Sequence, residues 1–446
     1  MTTITRSSRD DAATIAVEAP AASPPLLSLP ETQRSRRSLA TSNVSRRIVN
    51  RLLERLHGGH LRVTDVDGGT SAYGPADAAL RADLVVRDSR AWRAIVAEGS
   101  IGFGRGFIEG WWHSDDPVTV VRILIANMHA LDDIQRRVTR LTNPVLDPIR
   151  RRRGPRDSHR NREDISAHYD IGNEFFSLFL DETLSYSSAV FSSADMSLRD
   201  ASLAKYDRLL DKLDVGSTDH VLEIGTGWGG FAIRAAGTRA CEVTTTTISA
   251  EQRSEAVDRV AAAELDRQVT LLDSDWRDLE GTYDKVVSIE MIEAVDWRDY
   301  QDYFATIERC LKPDGMVGIQ AICMPDRRFE AKKNKEDFIR RFVFPGGMLP
   351  SIGAISDAVG RATHLQVLDV EDLSIHYAET LRRWRVEFDE SIDDAHRLGL
   401  DDRFCRLWRF YLAYCEAAFL ERHCTVNQFV LVGPDWRPDG ISPRQI

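Results

Sequence analysis

The segment Val221-Leu-Glu223-Ile-Gly225-Thr-Gly227-Trp-Gly229-Gly230 constrains the fold of this chain more than any other. A short apolar run leads into a glycine loop, and a helical pattern opens at Phe231. Glycines let a backbone come close to a ligand, and a helix N-terminus favours an electronegative group. The spacing is not the G-x-G-x-x-G that cradles a pyrophosphate. Glu223, two residues before the first glycine, would repel a phosphate. A ligand carrying an amine or sulfonium cation fits better. A loop that only turns tightly is the plain alternative.

The surroundings of this loop alternate between helix and strand. Helices are expected at 203–213, from 231 onward, at 250–265 with Ser249 as N-cap, and at 303–311. Strands are expected at 221–224, 242–248, 269–272, 283–289 and 316–322, with a turn at 312–315. Such alternation predicts an α/β fold with a parallel, doubly wound sheet. Towards the C-terminus, helices at 377–397 and 402–422 precede a strand at 425–432.

The N-terminal part reads differently. Residues 1–45 are rich in Ala, Ser, Thr, Pro and Arg and are expected to be a disordered tail. A small α+β domain follows over 46–133, with a helix at 49–56, strands at 61–66 and 82–86, and a helix at 118–131. Its segment 98–112 is dense in glycine and aromatics and ends in Gly110-Trp-Trp112. Residues 134–163 form an Arg-rich linker. The whole chain carries 58 basic and 69 acidic residues, a net charge of −11, so this linker is a local reversal of sign. It reads as a contact for anionic lipid headgroups, or as a solvated connector.

At 446 residues the chain allows two or three domains. A balance this acidic argues against nucleic acid as a partner. The six cysteines form no C-x-x-C pair, so no metal site is expected and the thiols read as reduced and buried. The apolar runs are too short to span a membrane, and the N-terminus, with Asp10, Asp11 and Glu18, does not fit a signal peptide.

Several further motifs carry a resemblance. They are His168-Tyr-Asp-Ile-Gly-Asn173 with Phe175 and Phe176, 184–191, the glycine loop, 247–252, Ile289-Glu-Met-Ile-Glu293, Phe344-Pro-Gly-Gly347 and Tyr377-Ala-Glu-Thr-Leu381. Together with Gly110-Trp-Trp112, they resemble the cyclopropane-fatty-acyl-phospholipid synthase family in consistent order over roughly 48–435. The resemblance implies a Rossmann-like class I methyltransferase sheet with helical insertions forming an acyl-chain pocket over 164–435, and a C-terminal tail at 436–446.

The resemblance also implies S-adenosyl-L-methionine as cofactor. It nominates His168, Tyr186, Ser187, Glu223, Gly225, Gly227, Thr247, Gln252, Asp275 and Trp276 as its contacts. The positions 247, 252, 275 and 276 follow expected strands, where open α/β sheets bind ligands. His168 could also be a structural histidine. In the family a bicarbonate ion acts as base, and its positions map to Ser188, Glu293, Gln320, Ile322 and Tyr377. The family pattern usually has Cys at 188 and His at 320. Ser188 keeps a backbone N–H, whereas Gln320 can donate but cannot titrate. Glu293 acting directly as base is the alternative. Glu290 beside it would form a carboxylate pair, or else a surface ion pair. Phe175, Phe176 and Phe179 at helical spacing read as core on pattern alone. Packing also explains the stripe of Tyr377, Leu381, Trp384 and Phe388.

The implied reaction methylates the cis double bond of an unsaturated phospholipid acyl chain through a carbocation. The expected product is a cyclopropane. The runner-up is a 10-methylene chain that a flavin or nicotinamide reductase converts to a 10-methyl branch. Such an enzyme is expected in the cytoplasm, peripheral at the inner membrane face, with a homodimer as one arrangement. A small-molecule N- or O-methyltransferase would not need the Gly110-Trp-Trp domain, and a non-catalytic lipid binder would not keep the glycine loop.

Overall fold

The computed structural model describes residues 36–128 and 172–438. The Arg-rich linker at 134–163 and His168 lie outside the described residues.

The N-terminal unit is a four-stranded sheet flanked by helices. Its strands are β1 His60–Thr64, β2 Thr70–Tyr73, β3 Arg81–Val86 and β4 Trp112–His113, in the order β2-β1-β3-β4. Its helices are Arg36–Leu53, Arg90–Glu98, Ser100–Ile108 and Pro117–Ala126. The first helix takes in the last ten residues of the expected tail. The glycine-dense segment is helical over Ser100–Ile108, and its glycines permit close packing. A Cβ on Gly106 would stand 2.7 Å from the Trp112 ring.

This unit shares a core with the rest of the chain. The ring of Phe410, on helix Asp402–Leu420, meets Phe107 at 5.2 Å, Trp112 at 5.8 Å and Phe103 at 5.9 Å. Around that contact, Arg403 pairs with Glu109 at 2.9 Å and Arg122 with Glu421 at 2.7 Å. Arg406 donates to the Ile108 carbonyl at 2.7 Å.

The second unit is built on seven strands: β5 His220–Ile224, β6 Glu242–Thr246, β7 Val269–Leu272, β8 Tyr283–Ile289, β9 Leu311–Cys323, β10 Gln366–Asp372 and β11 Thr425–Val432. Their order is β10-β11-β9-β8-β5-β6-β7. Strands β5 to β9 pair in parallel, while β11 lies antiparallel to both β9 and β10. The chain winds outward in two directions from β5, and a crevice opens where that direction switches. Residues 221–224 are all buried, as a strand covered on both faces requires.

Three local expectations are corrected. Residues 312–315 do not form a turn between elements but belong to β9, where Tyr283 pairs with Leu311 and Lys285 with Met316. The intervening residues bulge out of that ladder. The helix expected at 377–397 is two helices, Ser374–Glu390 and Ile392–Arg397, parted at Ser391. Strand β10 was not expected, because its residues are almost all exposed and carry no alternating pattern. All six cysteines are free and five are buried.

Candidate active site

The glycine loop leaves β5 with Gly225 at φ 103° and Gly227 at φ 52°. L side chains rarely adopt such angles. A Cβ on Gly225 would press on Met291 at 3.2 Å, whereas Gly227 has open space beside it. The Gly225 and Thr226 amides both donate to the Thr246 carbonyl at 3.0 Å, which ties the loop to β6. Glu223 is buried, and its Oε2 accepts a hydrogen bond from Thr245 Oγ1 at 2.6 Å. Burial pushes its carboxyl up to about 8.

The other nominated cofactor contacts gather at the same C-terminal strand ends. Thr247 Oγ1 donates to Gln252 Oε1 at 3.2 Å, and both are buried. The N-cap expected at Ser249 is formed, its Oγ accepting from the Gln252 amide at 3.3 Å. Asp275 opens the turn Trp276–Asp278, but its carboxylate is engaged by Arg277 at 3.1 Å. Trp276 is buried against Tyr303, with ring centroids 5.2 Å apart. Ser187 and Tyr186 enter from the 184–191 segment, and Tyr186 shares a hydroxyl–hydroxyl hydrogen bond with Tyr411 at 2.9 Å.

A residue outside the sequence reading stands behind them. Lys205, on helix Leu198–Lys212, is fully buried. Its Nζ donates to Ser185 Oγ at 2.8 Å and Ser187 Oγ at 2.5 Å. Burial pulls this ammonium down to about 8, opposed by the charges of Glu290, Asp181 and Glu223. The signal was present in the sequence. Ala201, Lys205 and Leu209 follow one another at helical spacing, so the lysine lies on the apolar face.

The second cluster centres on Glu290, at the end of β8. It is a non-glycine residue at φ 50°. Such strain persists where surrounding structure enforces it. Its amide donates to the Gln320 carbonyl at 2.7 Å. Oε1 accepts from the Ser188 amide and from Gln320 Nε2, both at 2.8 Å, and Oε2 accepts from the Tyr377 hydroxyl at 2.8 Å. Gln320 Oε1 is held in turn by Gln428 Nε2 at 3.1 Å. Ser188 contributes its backbone, since its own hydroxyl donates to the Ala189 carbonyl. Burial and the neighbouring Glu290 charge raise the Tyr377 phenol well above its usual range, so it stays a donor.

Glu293 lies beside this cluster. Its Oε1 accepts from the Ile322 amide at 2.6 Å. Its Oε2 is buried with no hydrogen-bond partner among the described residues. Burial, and then the charge of Glu290, push its carboxyl up to about 8. Of the five positions implied for bicarbonate, Ser188, Gln320 and Tyr377 thus meet on the Glu290 carboxylate, and Ile322 and Glu293 bond each other. A separate carbonate ion does not fit these residues, because the donors that would hold it are already used by a side chain.

Aromatic rings close the site. Tyr377 meets Phe419 at 4.5 Å and Trp384 at 6.1 Å, and Tyr186 meets Trp384 at 5.3 Å. Phe175, Phe176 and Phe179 are buried core residues, as their spacing predicts. They also reach the site, since Phe176 packs 5.3 Å from Tyr186. Among the described residues no helix is long and apolar enough to cross a membrane.

Comparison with known proteins agrees with this architecture. Residues 156–429 match the family described as mycolic acid cyclopropane synthetase. A tuberculostearic acid methyltransferase of Mycobacterium tuberculosis is 40% identical over 392 residues, covering 86% of this chain and 91% of that one. A cyclopropane-fatty-acyl-phospholipid synthase of Escherichia coli is 31% identical over 358 residues, covering 78% and 87%. Among solved structures, a mycolic acid cyclopropane synthase complexed with SAH and CTAB superposes with a TM-score of 0.57 at 30% identity, covering 61% of this chain and 98% of that chain.

Proposed function

Because this chain belongs to the mycolic acid cyclopropane synthetase family, we propose that it methylates the cis double bond of a monounsaturated phospholipid acyl chain and leaves a methylene branch, the tuberculostearic type of product. The coarser statement is established: the chain is an S-adenosyl-L-methionine-dependent methyltransferase of the cyclopropane fatty acid synthase family. The observation that carries the finer reading is the 40% identity to the tuberculostearic acid methyltransferase, which extends over 86% of this chain and takes in the N-terminal unit. That likeness reverses the order expected from the sequence, where the ring stood first. The ring remains the second reading, favoured by the 31% identity to the Escherichia coli synthase.

The cofactor, when bound, supplies an electrophilic methyl group. The residues that would hold it are Glu223, Gly225, Gly227, Thr247, Gln252 and Trp276, with Tyr186 and Ser187 closing over them. An alkene is a weak nucleophile, so the chain must align it and exclude water from the cation that follows. Tyr186, Tyr377 and Trp384 offer aromatic faces that stabilise a cation without adding to it. A hydride shift moves the cation onto the methylated carbon. Loss of a proton from the new methyl group then leaves a methylene, whereas the same loss without the shift closes a ring. In this reading a flavin or nicotinamide reductase completes the methyl branch, and the Arg-rich linker brings the enzyme to the cytoplasmic face of an anionic membrane.

The test is product analysis. Purified protein is incubated with S-adenosyl-L-methionine and liposomes of monounsaturated phospholipid, and the released chains are examined by mass and proton NMR. Gain of one CH₂ with vinylidene protons is the expected result. High-field ring protons would establish the second reading, and no CH₂ gain would exclude both.

A further inference from the structure

We propose that Glu290 is the general base of the reaction, a carboxylate built into the chain where relatives would use a bound anion. The inference rests on the reading that an alkene is methylated through a cation. That chemistry needs a base which takes a proton but does not add to the cation. An ionised carboxylate offers about four acceptor positions. At Glu290 three are filled, two on Oε1 by the Ser188 amide and Gln320 Nε2, and one on Oε2 by the Tyr377 hydroxyl. One position on Oε2 remains to receive a proton. The three donors also restrain the carboxylate from attacking the cation as a nucleophile.

The neighbouring carboxyl does not compete for this role. Two buried carboxylates at one site do not both ionise readily, and the negative charge settles on the one with more donors. Among the described residues Glu290 has three, whereas Glu293 has the Ile322 amide and a weaker approach from its own amide, and its Oε2 has no partner. Glu293 therefore holds its proton. The placement of Glu290 fits as well. Tyr377 ties its carboxylate to the aromatic rings, and Met291, next in sequence, packs against Gly225 of the cofactor loop. The left-handed backbone at Glu290 turns the side chain into this junction.

The step balances within the chain. A C–H bond of the cationic acyl chain breaks. Its electron pair forms the new C=C or C–C bond, and its proton goes to Glu290 Oε2. After product leaves, the carboxyl returns the proton to solvent.

The experiment compares the wild type with Glu290→Gln, Glu290→Gly and Glu293→Gln in carbon-dioxide-free buffer, with and without bicarbonate. Wild-type turnover is expected to be unchanged by bicarbonate. Glu290→Gln should lose on the order of 100-fold or more in turnover, while binding S-adenosylhomocysteine as the wild type does. Glu290→Gly frees three donors and should recover turnover when bicarbonate is added. A readout independent of turnover is carbon-13 NMR of labelled bicarbonate, which should broaden with Glu290→Gly and not with the wild type, whatever the acceptor lipid. Bicarbonate dependence or bicarbonate broadening in the wild type overturns the proposal. So does full turnover by Glu290→Gln, or loss confined to Glu293→Gln. Absence of any CH₂ gain by the wild type instead strikes the parent reading and leaves the NMR result to decide whether Glu290 fills the anion position.

Discussion

Glu223 and Thr245 are direct partners in the β5–β6 ladder, and the threonine hydroxyl donates to the glutamate carboxylate at 2.6 Å. Two backbones in register thus hold an acidic group beside the glycine loop. The bond also lowers a carboxyl that burial otherwise raises. Thr245→Val removes the donor and leaves Glu223 less able to carry charge. A hydrogen bond to a charged group contributes about 1.5–3 kcal/mol. Affinity for S-adenosylhomocysteine, measured by calorimetry, is expected to fall roughly 10- to 100-fold. Unchanged affinity would show that Glu223 does not contact the ligand.

The Glu293 carboxyl gives a pH signature. Its folded value is raised to about 8 from the ordinary 4.5. A raised value stabilises the fold through the protonated form, and that contribution is complete below pH 4.5. As pH rises towards 8, the unfolded chain ionises while the folded chain resists, so stability is lost across that window. Glu293→Gln cannot ionise and can still accept from the Ile322 amide. Thermal melts of the two proteins should therefore differ progressively as pH rises from about 5 to 8, the variant gaining relative to the wild type. Parallel melting curves would contradict the assignment.

The two units are predicted to unfold together. Phe410 is buried against Phe103, Phe107 and Trp112 of the N-terminal unit. Phe410→Ala should destabilise the protein by about 3–5 kcal/mol, in the range for a buried aromatic truncated to alanine. Calorimetry should show one transition in the wild type, moved to lower temperature in the variant. Two independent transitions in the wild type would show that the shared core does not couple them.

Much of the sheet was legible because its signals are local. The apolar run at 221–224, the glycines after it and the Ser249 cap each act within a few residues, and each appears where expected. Strand β10 was not legible, because an exposed edge strand shows no burial pattern for its sequence to record. The split at Ser391 was hidden for a related reason, since the helical period continues through the break. Lys205 could have been found from its helical face, but a lysine is normally counted with the solvent. Three of the five positions implied for bicarbonate, 188, 320 and 377, share the carboxylate of Glu290 instead, while Ile322 bonds Glu293. Sequence spacing cannot report that the partner of Ser188, Gln320 and Tyr377 is a fourth residue, 290.

The sequence by itself determined the parallel α/β sheet, the glycine loop and the family, because strand, turn and cap preferences and motifs are properties of short segments. Only the tertiary structure decided what the buried polar groups do. Residues 188, 290, 320 and 377 are far apart along the chain, and each carries a polar group that is costly to bury without a partner. Folding brings them to one point and satisfies them on one another, which places a buried carboxylate at the end of β8, bonded to a tyrosine that packs on Trp384 and Phe419.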